Sequence, residues 1–462
     1  MFGKPDEKLI QQLKQICGNE FVFTTDIESY GRDYTEDLHY PPAVVVKPGS
    51  AEEVAEILKV CNKASIPVYP RGAGTGLSGG SLPVFSGVTV SVERLNKVLG
   101  IDRANFQATV EPGVINQVFR DTVEAQGLYY PPDPASRGSC FLGGNIAHGS
   151  GGPRAVKYGT TRDYVLNLEV ALPNGELIWT GANTVKNSTG FNLTQLMVGS
   201  EGMLGIVTKI VFRLISLPKH NVLLLAPFKT AFEAASAVNQ VLLTGVTPSA
   251  LELMEVSGVK MSAEATQTPF PMVNGADFYL LIELDGNDTD HLMKDAEIIF
   301  PALDACGAMD VLHADSTELK EQWWKVRRSI GEAVKGASIY KEEDTVVPRA
   351  ALPELLTGVK AIGEKYGFES VCYGHAGDGN LHVNILKNKM PDEMWNHDLP
   401  KGIREIFELC KKLGGTISGE HGIGLVQACY LDVVFTPTHF SIMRGIKKVF
   451  DPNGIMNPGK WL

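Results

Sequence analysis

The chain has 462 residues, 44% of them hydrophobic and 48 of them glycine, with a formal net charge of −11; it is long enough for a large core and more than one domain. The acidic balance argues against nucleic acid and against an anionic membrane surface, no apolar run reaches transmembrane length, and the N-terminus has no signal-peptide core, so a cytoplasmic protein is expected. Seven cysteines without a Cys-x-x-Cys pair point to a reducing compartment and to no iron–sulfur cluster in this chain.

In chain order, Leu9, Ile10, Leu13 and Ile16 predict a short amphipathic helix after Asp6. Residues 42–49 read as a buried strand closed by a turn, and Ser50 with Glu53 as a capping box that opens a helix with Val54, Ile57, Leu58 and Cys61 on one face. A strand over 66–70 leads into Arg71-Gly-Ala-Gly-Thr-Gly-Leu-Ser-Gly-Gly-Ser-Leu-Pro83. Gly74 to Gly79 match G-x-G-x-x-G, but the dinucleotide form of that motif opens directly into a helix, and here a strand over 88–92 follows. The stretch therefore reads as a glycine-rich loop whose backbone N–H groups wrap a diphosphate. Gly72, Gly74, Gly76, Leu77, Gly79 and Gly80 supply its backbone, Thr75 and Ser78 add hydroxyl donors, and Arg71 stands at its entrance. A strand over 106–111, a helix over 114–126 and a proline-braced loop over 129–136 come next. The second glycine cluster, 143–152, suits either close backbone approach to a flat ligand or plain turns. A hairpin over 165–180 and a third glycine-rich turn, 199–208, feed a strand over 206–214.

Beyond Pro218 the pattern becomes strand 222–226, helix 229–242, strand 249–254, strand 277–284 and helix 288–304, an α/β arrangement. A helix around Trp323 carries Arg327 and Arg328. The stretch Tyr373-Gly-His-Ala-Gly-Asp-Gly-Asn-Leu-His-Val-Asn384 reads as a hairpin. Alternation places His382 and Asn384 on one face and Leu381, Val383 and Ile385 on the other, with His375 across the turn from His382. Two imidazoles so placed grip a divalent metal if a third ligand arrives. After a helix over 401–413, stopped by Gly414-Gly415, the segment Ser418-Gly-Glu-His-Gly422 offers Glu420 as that ligand and His421 as a base beside the metal.

Residues 70–83, 131–136, 143–152 and 199–208, in this order, resemble the FAD-binding domain of the vanillyl-alcohol-oxidase/PCMH flavoprotein superfamily. The hairpin at 373–384 and the segment at 418–422 resemble its D-2-hydroxyacid dehydrogenase branch, which includes D-lactate dehydrogenases, the glycolate oxidase flavin subunit and D-2-hydroxyglutarate dehydrogenase. The resemblance spans about residues 40–460. It implies an α+β fold: a lead-in over 1–39, a two-subdomain PCMH-type FAD-binding domain over 40–217, an α/β substrate or cap domain over 218–415, and a C-terminal segment, 416–462, returning to the flavin. It also implies FAD contacts at Pro132, Asp133, Ser136, Gly143, Gly144, Asn145, Gly152, Glu201, Gly205, Ile206 and Asn457. No histidine stands where some members attach flavin covalently, so FAD is expected to be noncovalent. Relatives commonly have Asn where Gly149 stands, and His148 beside it either faces the isoalloxazine or packs.

The chemistry so implied is oxidation of a D-2-hydroxy acid to its 2-oxo acid, with hydride passing to flavin N5. His375, His382 and Glu420 hold a divalent metal (Zn, Mn or Fe), His421 takes the hydroxyl proton, Arg327 holds the substrate carboxylate with Arg328 as the alternative, and Asn384 steadies the substrate. The acidic run at 339–344 favours D-lactate or glycolate over D-2-hydroxyglutarate, with Lys341 as the one nearby cation. Electrons pass to a non-nicotinamide acceptor: a quinone, a cytochrome, an electron-transfer flavoprotein or an iron–sulfur subunit. Through such a partner the chain acts as a complex subunit, or peripherally at the inner membrane; a homodimer is the other arrangement. Two further readings stay open: a nicotinamide-dependent Rossmann enzyme resting on Gly74–Gly79, and a non-catalytic flavoprotein subunit of a larger complex.

Overall fold

The computed structural model describes residues 2–35 and 38–462. The chain forms two compact units: one contains the N-terminal part to Ser150, then Thr160–Leu217 and Glu420–Leu462; the other contains Gly151–Gly159 and Pro218–Gly419.

The first unit holds two main sheets. Strands Val22–Phe23, Val44–Val46, Val88–Ser91 and Val68–Arg71 lie side by side in that order. The first pair is antiparallel and the rest parallel. Two helices pack on this sheet. Glu7–Cys17 starts at Asp6, whose carboxylate accepts from Leu9 N at 2.8 Å. Ala51–Lys63 starts at Ser50, whose hydroxyl accepts from Glu53 N at 3.2 Å. Here the Glu53 carboxylate takes Gly49 N at 2.7 Å, one residue before the N-cap. The apolar faces of both helices meet the strands through Leu9, Leu13, Val54, Ile57, Leu58 and Cys61. The second sheet has five antiparallel strands, in the order Val98–Asp102, Gln107–Val110, Ile206–Arg213, Val165–Ala171, Leu177–Trp179.

Residues 72–87 contain no helix, and the strand Val88–Ser91 follows. The second glycine cluster differs from plain turns: Leu142–His148 is a helix, ended by Gly149. Glycine is a poor helix former, but a Cβ at Gly143 would stand 2.6 Å from the Pro112 side chain, so close packing selects glycine there against its propensity.

The second unit is built on one seven-stranded antiparallel sheet. Its strands are β1 (His220–Phe228), β2 (Ala250–Glu255), β3 (Phe278–Gly286), β4 (Leu312–His313), β5 (Tyr340–Val346), β6 (Glu369–Gly374) and β7 (Asn380–Leu386). Their spatial order is β4-β1-β3-β2-β6-β7-β5. One face packs on the helices Val256–Thr266 and Thr317–Ala337 through Leu223, Met254, Leu281, Val259, Trp323 and Ile330. The alternate residues, among them Leu224, Leu253, Ile282, Leu381 and Val383, are fully buried as well. A sheet buried on both faces explains why these strands read as near-continuous apolar runs. It also makes any polar side chain on the inner surface conspicuous.

Candidate functional site

In the first unit, the loop after the strand Val68–Arg71 walls a cavity whose lining includes Gly72, Gly80, Ser81, Gly143, Gly144, His148, Glu201, Gly205 and Ile206. Much of this wall is bare backbone. A Cβ at Gly72 would sit 3.6 Å from Gly144 Cα, and one at Gly144 would meet nothing within 4 Å. A surface of glycine backbone admits a flat or diphosphate-bearing ligand closely and presents N–H donors to it. The residues present therefore fit a flavin dinucleotide.

Other predicted cofactor residues brace the loop. Arg71 turns inward and donates to the carbonyls of Arg32 (2.7 Å), Tyr30 (3.3 Å) and Ser29 (3.4 Å). A Cβ at Gly74 would lie 2.0 Å from that guanidinium. The Gly76 carbonyl accepts from Tyr34 N at 3.0 Å, and Gly79 N donates to Thr35 Oγ1 at 2.6 Å. Thr75 and Leu77 are half-buried on the same loop. The lead-in over 29–35, given no role by the sequence, thus holds the loop's shape. Asp133 is fully buried between Arg120 (3.3 Å) and Arg137 (3.0 Å). The Pro132 carbonyl and the Asn145 amide oxygen both face Asn116 Nδ2 at 3.4 Å, and the Ser136 carbonyl accepts from Cys140 N. These four stiffen the proline-rich loop behind the cavity wall. Gly152 belongs to the other unit.

The C-terminal segment is tied to the glycine turns. Glu201 accepts from Ile423 N (2.7 Å) and Gly424 N (2.8 Å), Ser78 Oγ donates to the His421 carbonyl (3.1 Å), and Leu425 N donates to the Ser78 carbonyl (2.7 Å). Asn457 Nδ2 donates to the carbonyls of Gly80 (2.9 Å) and Glu201 (2.7 Å). Lys460 donates to the Leu82 carbonyl, and burial pulls its ammonium down from the ordinary 10.5 to about 8.

In the second unit a polar patch breaks the apolar sheet. Register pairs Tyr373 of β6 with His382 of β7, and His382 with Asp344 of β5; Asn384 of β7 pairs with Glu342. Glu252 of β2 and His375, just past β6, complete the patch, and the turn between β6 and β7 passes through Gly379 at φ +85°, where a Cβ would lie 2.0 Å from the Val347 carbonyl. The His375 and His382 rings stand edge to face, centroids 5.3 Å apart. A ligand nitrogen of each lies within 4.8 Å of one on the other, a spacing that one cation can bridge.

Glu252 organises this patch. It is completely buried; His375 Nδ1 lies 2.9 and 3.0 Å from its two oxygens, and Arg327 Nη2 lies 2.5 Å from it. Burial alone would push the Glu252 carboxyl up; the Arg327 guanidinium and His375 outweigh that and hold it below the usual carboxylate range. A carboxylate on Nδ1–H directs the other ring nitrogen of His375 outward as a ligand. Arg327 comes from the buried face of the Thr317–Ala337 helix, with its guanidinium over the Tyr373 ring at 5.1 Å. Arg328 instead stacks on Trp324 at 4.5 Å. Among the described residues, Arg327 Nε and both amide atoms of the fully buried Asn384 lack a hydrogen-bond partner. Buried polar groups in that state await a ligand or water.

Asp344 accepts from Asn380 Nδ2 (2.7 Å), Ser418 Oγ (3.0 Å) and Gly419 N (2.8 Å), so the chain is pinned to β5 up to Gly419. Glu420 and His421 are the next two residues and open the last segment of the first unit. Sequence reasoning passed over Glu252 and took Glu342 and Asp344 only as part of the acidic run at 339–344. The signal for Glu252 was present: a lone carboxylate within the apolar run Ala250-Leu-Glu-Leu-Met254. No helix among the described residues is long and apolar enough to cross a membrane.

Two family descriptions match this chain: "FAD binding domain" over residues 42–181 and "FAD linked oxidases, C-terminal domain" over residues 217–461. The chain is 38% identical to a D-lactate dehydrogenase of Anaerostipes hadrus, covering 99% of this chain and 98% of that one. It is 37% identical to the glycolate oxidase subunit GlcD of Bacillus subtilis (strain 168), covering 97% and 96%. Among solved structures, p-cresol methylhydroxylase with substrate bound superimposes with a TM-score of 0.81 at 18% identity, covering 99% of this chain and 98% of that one, a likeness of fold.

Proposed function

Since the chain belongs to the FAD-linked oxidase family, we propose that it oxidises a D-2-hydroxy acid, D-lactate or glycolate, to the 2-oxo acid. The observation that carries this reading is the His375–His382 pair, backed by Glu252 and flanked by partnerless polar atoms on Asn384 and Arg327. The glycine-walled cavity of the first unit would hold noncovalent FAD, with Gly72, Gly80, Gly143, Gly144 and Gly205 against it. FAD, when bound, supplies the two-electron acceptor for the substrate Cα–H bond. A divalent ion on His375, His382 and Glu420 would supply Lewis acidity toward the 2-hydroxyl.

The chain's own side chains do the rest. Glu252 keeps His375 in the ligating tautomer. Arg327 offers its Nε–H to the substrate carboxylate while Glu252 balances its charge. Asn384 donates or accepts at the substrate from beside His382. His421 removes the hydroxyl proton as the alcohol becomes a carbonyl. Against the Rossmann reading of Gly74–Gly79, no helix follows the 72–87 loop to receive a nicotinamide dinucleotide's diphosphate.

The test is an anaerobic visible spectrum of the purified protein before and after substrate. A flavin band that bleaches with D-lactate or glycolate and not with L-lactate is the expected result. A flavin that stays oxidised with every D-2-hydroxy acid, after metal reconstitution, refutes catalysis and leaves a binding subunit. For the metal, elemental analysis is expected to find about one divalent ion per chain; full activity in metal-free protein would remove the ligand assignment.

A further inference from the structure

Glycines from two distant segments make room for one imidazole. His148 ends the helix Leu142–His148 and lines the glycine-walled cavity of the first unit. A Cβ at Gly80 would lie 2.9 Å from its Cε1, and one at Gly422 would lie 2.6 Å from its Nδ1, so a side chain at either position collides with the ring. A Cβ at Gly76 would lie 3.6 Å from its Nε2. The ring is thus wedged between the 76–80 loop and the C-terminal segment. The Glu201 carboxylate stands beside it, 3.0 Å from the Gly422 Cβ position and 3.8 Å from that of Gly80. His148 Nδ1 is buried with no hydrogen-bond partner among the described residues, so its contact with Gly422 is one of shape.

Gly422 stands between two anchors. The His421 carbonyl accepts from Ser78, and the amides of Ile423 and Gly424 go to Glu201. Gly422 itself lies at φ +80° and, lacking a Cβ, has the widest choice of backbone conformation. Rotation there swings His421. We propose that His148 is a positioning residue: its ring, braced on Gly80, holds Gly422 and so sets where His421 stands beside the cavity. The inference rests on the reading of His421 as the base that takes the hydroxyl proton. A base and an electron acceptor that serve one carbon must be aligned closely, and misplacement by about 1 Å costs about 10²-fold in rate. Without the ring, Gly422 gains a space into which it can relax, and His421 loses its fixed aim.

The experiment uses the full-length protein loaded with metal and saturating FAD, as wild type, His148→Ala, Gly80→Ala and the double variant. In His148→Ala the limiting rate of flavin reduction by D-lactate or glycolate is expected to fall about 10–100-fold. The half-saturating substrate concentration is expected to stay within about twofold, because Arg327 and Asn384 are untouched. Gly80→Ala drives a methyl group into the ring and lowers the rate as well. In the double variant that methyl enters the space the ring has left, so the rate is expected to exceed the product of the two single effects at least about fivefold. Hydrogen–deuterium exchange of the segment 420–426 reads the same brace without turnover. Exchange at Ile423 and Gly424 is expected to be about tenfold faster in His148→Ala and slower again in the double variant. Single effects that simply multiply, with exchange unchanged, overturn the proposal. So does a rate loss matched by weakened FAD binding with exchange unchanged, which would make the ring a cofactor contact only. If the wild type reduces its flavin with no D-2-hydroxy acid, the reading of His421 fails, and the exchange rates alone then decide whether His148 holds the segment.

Discussion

Replacing His421 with alanine is expected to lower the rate of flavin reduction by D-lactate or glycolate by about 10²–10⁴-fold while leaving the spectrum of bound flavin unchanged. The size follows from the role proposed for the imidazole. No other group is assigned to take the hydroxyl proton, and a water in its place is a far weaker base near neutral pH. The unchanged spectrum follows from how the segment is held. The anchors around His421 use main-chain atoms: its own carbonyl accepts from Ser78, and the N–H groups of Ile423 and Gly424 go to Glu201. Truncating the side chain leaves all three bonds in place, so the glycine turns and the cavity keep their shape. Stopped-flow reduction under anaerobic conditions measures the rate, and the flavin absorbance and content of the same sample check the cavity. A near-normal reduction rate would take His421 out of the mechanism. Loss of flavin together with rate would mean that the imidazole supports the cavity instead.

The fold was legible where local rules and burial agree. Asp6 and Ser50 announced two helices, and both side chains cap them. The alternation in 380–386 predicted that His382 and Asn384 share a face, and the register with β5 and β6 gives that. It was less legible where packing overrides propensity. The first turn of the helix Leu142–His148 carries Gly143 because Pro112 leaves no room for a Cβ there, and no single-chain propensity foretells that contact. The glycine-rich loop read as a ligand nest, but the sequence did not disclose that Tyr34 and Thr35 hydrogen-bond to it from forty residues upstream, or that Arg71 folds under it. Motifs report residues that touch a ligand or a turn. They are silent about side chains that act through another residue, and Glu252, some 120 residues before His375, is of that kind.

Removing Glu252 is therefore expected to damage both stability and the metal site. Glu252→Ala leaves Arg327 buried at 5% exposure without its carboxylate, and breaking one side of a buried ion pair costs about 3–5 kcal/mol. The same change frees the Nδ1 side of His375, so the ring no longer has one preferred tautomer. Loss of an outer carboxylate from a ligating histidine weakens metal binding by about 10–100-fold. Glu252→Gln separates the two effects. The Gln carbonyl still accepts from His375 Nδ1–H, which preserves the tautomer, but its neutral amide does not balance Arg327. The glutamine variant is expected to retain most of its metal and lose stability nearly as the alanine variant does. Denaturant unfolding of the metal-stripped proteins reads the first effect, since bound metal would itself stabilise the folded state. Metal titration at fixed pH reads the second. If Glu252→Ala unfolds within about 1 kcal/mol of wild type, Arg327 finds another partner on losing this one, and its charge is not balanced by Glu252 alone. If it binds metal as tightly as wild type, His375 is not a ligand or does not need this carboxylate, and the two-histidine site would have to be rebuilt around His382.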